Sequence, residues 1–179
     1  MEISYRVQLG PILESHGAAM PLQFDLPVEP FAVGLEDFTP LGPAHVDALL
    51  TNTGAGIVGS GEISIDLEVA CSRCLRLFPL HVDGTIEGFY VLPDRASSLP
   101  EDQDYELIEA RSLDIGPSLV AAIVIALPMA PLHDEECKGI CAHCGTDLNE
   151  STCSCVNERA DSPFSALEGL LDKDRESQD

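Results

Sequence analysis

Residues 45–93 read HVDALLTNTGAGIVGSGEISIDLEVACSRCLRLFPLHVDGTIEGFYVLP, and the fold turns on how they alternate. The first part reads as a strand, a glycine-rich turn and a second strand. In that second strand Ile63, Ile65, Leu67 and Val69 fall on one side, and Glu62, Ser64, Asp66 and Glu68 on the other. Period two of this kind is the pattern of an antiparallel strand with one face buried and one solvated. CSRC interrupts it, and LRLFPLHVDGTIEGFYVLP resumes as strand, which places Cys71 and Cys74 at the tip of a hairpin.

Working outward, DRASSLPEDQD reads as an acidic loop and YELIEA as a short strand. LDIGPSLVAAIVIALP has the composition of a buried helix. Asp114 is its expected N-cap, Pro117 lies in the first turn and Pro128 stops it. The apolar run is shorter than the roughly 20 residues of a membrane span. Upstream, residues 1–40 are proline-rich, with strand-like pieces only at Tyr5–Leu9 and Phe31–Leu35. Near the end, DSPFSALEGLL has a Ser162 cap, Pro163 at the first position, and Phe164, Leu167, Leu170 and Leu171 along one side, the pattern of a short amphipathic helix. A polar tail follows. The sequence therefore predicts an α+β protein, an antiparallel sheet or meander packed on one buried helix. Residues 1–132 form the β-rich core, 133–157 a cysteine-rich zinc-knuckle module, and 158–179 a terminal helix with a disordered acidic tail.

Charge bounds the partners. The 179 residues carry 31 acidic and 9 basic side chains, a formal net charge of -22. Such a chain repels polyanions, and nucleic-acid binders normally cluster lysine and arginine to displace phosphate counterions. The densest basic spot here is Arg73 with Arg76. A basic protein is the expected partner, with room for a small local RNA contact at those two arginines; no membrane and no small-molecule substrate is expected. The opening MEISYRVQLG lacks the apolar run of a signal peptide. The expected location is the cytoplasm, where disulfides rarely persist.

Five of the seven cysteines fall within LHDEECKGICAHCGTDLNESTCSC, residues 132–155. With the hairpin they make four short pairs: Cys71-x2-Cys74, His133-x3-Cys137, Cys141-x2-Cys144 and Cys153-x-Cys155. A knuckle holds two thiolates about 3.5–4 Å apart, the edge of a tetrahedron around zinc, and a second pair completes the shell. The preferred pairing is one site from Cys141, Cys144, Cys153 and Cys155, and another from Cys71, Cys74, His133 and Cys137. One or two structural Zn2+ ions are expected. A rival grouping takes Cys137, Cys141 and Cys144 with Cys153 or Cys155 and leaves Cys71 and Cys74 unused. His143, inside a knuckle, reads as a bystander.

No catalytic residue is expected. HDEE with CAHC superficially matches the zinc deaminase signature, but Glu135 and Cys141 are too close in sequence for the intervening structure, and Ile140 replaces the proline. CAHC is followed by Gly145, Thr146 and Asp147, a turn, whereas a redox pair needs a helix start. Neither a phosphate loop nor a dinucleotide fingerprint stands out.

Taken together, CSRCLRLF after a strand, the helix ending VIALPMAPLH, CKGICAHCGTDLNESTCSC and SPFSALEGL resemble the bacterial and plastid YceD family, from about Val46 to Leu171. Cys71, Arg73 and Cys74 match its C-x-R-C pair. Cys137, Gly139, Cys141, Cys144, Gly145, Leu148 and Asn149 match its cysteine-rich segment, with Ile140 where leucine is usual. Members often carry cysteine where His133 stands, which the resemblance offers in support of His133 as a ligand. Some lack the C-terminal cysteines, which implies that the second site stabilises rather than acts. The resemblance implies a non-enzymatic factor for processing or accumulation of large-subunit (23S) ribosomal RNA, with assembly components as partners. The competing expectation is a zinc- or redox-responsive regulatory binding protein, which peroxide would strip of metal.

Overall fold

The computed structural model describes residues 3–155 apart from 11 and 101. The expected helix at 161–171 and the polar tail lie outside the described residues. The chain divides into two compact units, Met1–Cys137 and Lys138–Asp179. The first includes His133 and Cys137, which the sequence groups with the cysteine-rich module.

The first unit is built on the stretch that alternates best. Strands β5 (Ala44–Asn52), β6 (Ile57–Ala70) and β7 (Leu77–Val91) form an antiparallel meander. β6 and β7 stay in register from Ile57↔Tyr90 to Ala70↔Leu77, and β5 lies along the other edge of β6 from His45↔Ser64 to Asn52↔Ile57. Ile63, Ile65, Leu67 and Val69 are each 2 % exposed or less, so the period read from sequence is the burial pattern of the strand. Beyond β5 lies β2 (Ala19–Leu26), while β4 (Glu36–Pro40) meets β6 at Leu67 and Glu68 and carries β3 (Phe31–Val33). A two-residue strand β8 (Glu106–Leu107) runs parallel to the end of β7. Apart from this sheet, β1 (Arg6–Gln8) pairs with β9 (Ser112–Asp114).

Two of these elements lay hidden in the proline-rich N-terminus. β2 contains Pro21, which lacks a ladder donor and usually disqualifies a strand. It is tolerated because β2 pairs on one side only, with β5. Its alternation is also faint: Met20, Leu22 and Phe24 are only partly buried. The loop expected after β7 opens with a short helix, α1 (Pro93–Ala96).

The buried helix is α2 (Gly116–Ala126), which ends before Pro128 as expected. Its N-cap is Ile115 rather than Asp114, which closes β9. The Asp114 carboxylate nevertheless accepts the Gly116 amide at 2.9 Å, so it satisfies an orphan donor from one residue further out. α2 packs on the inward face of β7. There a Cβ on Gly84 would lie 2.5 Å from the Ala122 carbonyl oxygen, so glycine permits the close approach. At the same interface the buried Tyr90 hydroxyl and Ser118 Oγ are 2.7 Å apart, each satisfying the other. No described helix is long and apolar enough to cross a membrane.

Candidate metal centres

The two knuckles share one backbone geometry. In the first, the Cys71 amide donates to the Arg76 carbonyl and the Leu75 amide to the Cys71 carbonyl, both at 2.8 Å. In the second, the Cys141 amide donates to Thr146 at 2.8 Å and the Gly145 amide to Cys141 at 2.9 Å. The turn requires a left-handed residue after the second cysteine. Gly145 supplies it with φ 72°, and Leu75 adopts it with φ 62° despite its side chain.

In the first unit, the β6–β7 hairpin carries Cys71 and Cys74 to the segment that follows α2. The Ser72 amide donates to the Pro131 carbonyl at 2.8 Å. The Arg73 guanidinium donates from Nη1 to the Glu135 and Cys137 carbonyls at 3.0 and 2.8 Å. Arg73, read from sequence as a partner contact, is thus engaged with the backbone that presents Cys137. Arg76 contributes its carbonyl to the knuckle.

The result is a group of Cys71, Cys74, His133 and Cys137 whose donor atoms all lie within 4.8 Å of one another. Cys71 Sγ is 3.8 Å from Cys137 Sγ, and Cys74 Sγ is 3.5 Å from His133 Nδ1. Tetrahedral zinc, with bonds of about 2.3 Å to sulfur and about 2.0–2.1 Å to nitrogen, has edges of about 3.8 Å for S–S and about 3.5–3.6 Å for S–N. Both distances are those edges, and the sulfur–sulfur separation is far beyond a disulfide bond. The three cysteines are buried, and the Phe78 and His133 rings meet edge-on with centroids 6.4 Å apart. Burial pushes the Cys71 thiol up, but hydrogen bonding to the His133 ring and to the His133, Cys74 and Arg73 amides outweighs it and brings the group to about 5.

In the second unit Cys141, Cys144, Cys153 and Cys155 gather within the same 4.8 Å limit. Two Asp147 contacts, accepting the Asn149 amide at 2.8 Å and its side-chain amide at 2.7 Å, shape the loop between the pairs. Asn149 in turn accepts the Lys138 amide at 2.7 Å. The Thr146 hydroxyl lies 3.1 Å from Cys144 Sγ, and with the Thr146 amide it brings that thiol down to about 6. Cys155, beside Cys144, is pushed up to about 12. A thiolate among thiols retains its neighbours' protons, which a divalent cation would displace.

The structure therefore brings together the two sets preferred from sequence. Cys137 joins Cys71 rather than Cys141, unlike the rival grouping, and His143 belongs to neither set among the described residues. Each set offers four N or S donors, the complement of a closed tetrahedral site. Sequence reading missed the bracing by Arg73 and Thr146. Arginine inside a CxxC was a signal for the first; nothing in the spacing announces the second. All seven cysteines are outside disulfides.

Comparison with known proteins follows the same span. The family described as Large ribosomal RNA subunit accumulation protein YceD matches residues 59–171. An uncharacterized protein of Mycobacterium leprae is 27% identical over 108 residues, 59% of this chain and 49% of its own. The YceD protein of Haemophilus influenzae is 25% identical over 122 residues, 65% of this chain and 67% of its own. A chloroplastic YCED homolog of Arabidopsis thaliana is 27% identical over 73 residues, 41% of this chain and 23% of its own. The chain spans about half the length of the mycobacterial relatives it matches. No solved structure matches it.

Proposed function

The chain belongs to the YceD family, and from that membership we propose that it supports accumulation of large-subunit ribosomal RNA by binding, not by catalysis. The match over residues 59–171 carries the reading, because it spans the long hairpin, the buried helix and both donor sets. The chemistry of those sets supports it. Four N or S donors saturate a tetrahedral ion and leave no position for water or substrate. Zinc at both sets has a structural role: it ties the hairpin tip to the segment after α2 in one unit and closes the knuckle loop in the other. The partner is a basic protein of the assembling large subunit, since a net charge of -22 repels naked RNA. The site of action is the cytoplasm.

The test is deletion in the native host, with quantification of large- and small-subunit ribosomal RNA. We expect a selective fall of the large-subunit species, restored by the wild-type chain and not by one with Cys71 and Cys74 changed to serine. A normal ratio in the deletion strain would overturn the reading. Affinity purification at low and high salt then separates partner classes. Recovery of protein that resists ribonuclease is expected; recovery that ribonuclease abolishes would argue for RNA.

A further inference from the structure

The outward positions of β2, β5, β6 and β7 are mostly exposed, except at the Glu87–Phe89 end, where Asp104 and Tyr105 lie alongside. α2 covers the opposite face, against Gly84 and Ile63. The residues of the outward face stand in rows fixed by the register. One row reads Asp25, His45, Ser64, Asp83; the next reads Gln23, Asp47, Glu62, Thr85. Asp66 faces His81 further along, and Glu87 faces Ser60. Six exposed carboxylates thus share this surface, and none of its positions holds lysine or arginine. The two histidines are already engaged, His45 with Asp25 at 2.8 Å and His81 with Asp66 at 2.6 Å.

Two further observations distinguish this surface from ordinary solvated polarity. Asp47 and Glu62 are both exposed and directly opposite on adjacent strands. Like charges directly opposite one another are destabilising, and of the two only Asp47 has a neutral partner among the described residues, the Gln23 side-chain amide donating to it at 2.7 Å. The face also exposes Leu49 and Val58 at one end and Leu77 at the other. Apolar groups bracketing a carboxylate field match a ligand that is itself cationic and amphipathic.

We infer that the outward face of β2-β5-β6-β7 is the docking surface for a lysine- and arginine-rich protein segment that also carries apolar side chains. The inference rests on the proposed binding role and adds where the partner sits. Charge complementarity selects this occupant. A second copy of the chain would bring carboxylates against carboxylates, and a nucleic acid would bring phosphates. Asp47 and Glu62, directly opposed on neighbouring strands, are about 5 Å apart, and carboxylates four apart on one strand, Glu62 with Asp66 and Asp83 with Glu87, are roughly 13 Å apart, spacings that cationic groups along one extended segment can meet.

The experiment measures binding of a fluorescent 20-residue peptide of alternating Lys, Arg and Leu to the full chain, at low and high salt. The variants are Asp47→Asn with Glu62→Gln on the face, and Asp94→Asn with Asp102→Asn in α1 and the loop after it. We expect the face pair to weaken binding about fivefold or more at low salt while raising thermal stability, and the loop pair to change binding less than twofold. Equal losses in both pairs would overturn the docking surface and leave the basic-partner reading standing. Absence of peptide binding to the wild type, or preference for an RNA oligonucleotide of equal length, would overturn the basic-partner reading itself.

Discussion

Leu75 and Gly145 occupy the same place in two knuckles, and the comparison shows what the backbone demands of each. A side chain in the left-handed region costs about 1–2 kcal/mol. A Cβ at Gly145 would meet nothing within 4 Å, so Gly145→Ala should lose about 1 kcal/mol from conformation alone, read by chemical denaturation of the metal-loaded chain. Leu75→Gly should be neutral or slightly stabilising, since relief of strain offsets the entropy of glycine in the unfolded chain. Asp114 is a second instructive residue. Burial raises its carboxyl, but the Ser4 hydroxyl at 2.6 Å and the Gly116 and Tyr5 amides, each at 2.9 Å, hold it below its ordinary 3.8. A carboxyl depressed in the folded state contributes stability above its unfolded value and loses it as pH falls through the folded one. Asp114→Asn should therefore cost about 2 kcal/mol at neutral pH. Its denaturation midpoint should converge on the wild type below pH 3.8; a gap independent of pH would reject the carboxylate's role.

At the scale of elements, legibility followed burial. β6 was readable because each of its faces meets a single environment, protein or water. β2 was not, because Pro21 breaks the propensity and its inner side chains are half-covered at the sheet edge. The cap of α2 was misplaced by one residue because Asp114 ends the preceding strand and caps the Gly116 amide from just outside the helix. The four ligand pairs were visible as spacing. Their preferred grouping was read from the same spacing and matches the two donor sets; what spacing could not show is the route by which Cys71 and Cys137, 66 residues apart, meet through the hairpin and helix. The contact of α2 with β7 gives the third prediction. Gly84→Val forces side-chain atoms against the Ala122 carbonyl and Ile63, and should cost about 1–3 kcal/mol or more. Thermal melts that match the wild type would show that the helix sits further out.

For the whole molecule, the two compact units give separable expectations. Reduced, chelator-free protein should carry two zinc equivalents, with Cys71→Ser and Cys141→Ser each lowering that to one, measured by metal analysis alongside melting. Zinc in small modules contributes on the order of 10 kcal/mol, so stripping it should abolish a cooperative transition in the unit affected. An unchanged melting profile after complete stripping would eliminate a structural metal. The two sets also differ in exposure: Cys71 is fully buried, whereas Cys144 and Cys155 face solvent. Mild peroxide should release the second ion before the first.

The first set also has a temporal side. Its four residues come from two places in the chain, 59 residues separating Cys74 from His133, and translation delivers the N-terminal pair first. The hairpin leaves the exit tunnel with Cys71 and Cys74 bare at its tip. They lack their partner ligands until residues 133–137 have followed them out of the tunnel, after the central strands have emerged. Until then a vicinal dithiol waits, dependent on a reducing milieu, for the other half of its site.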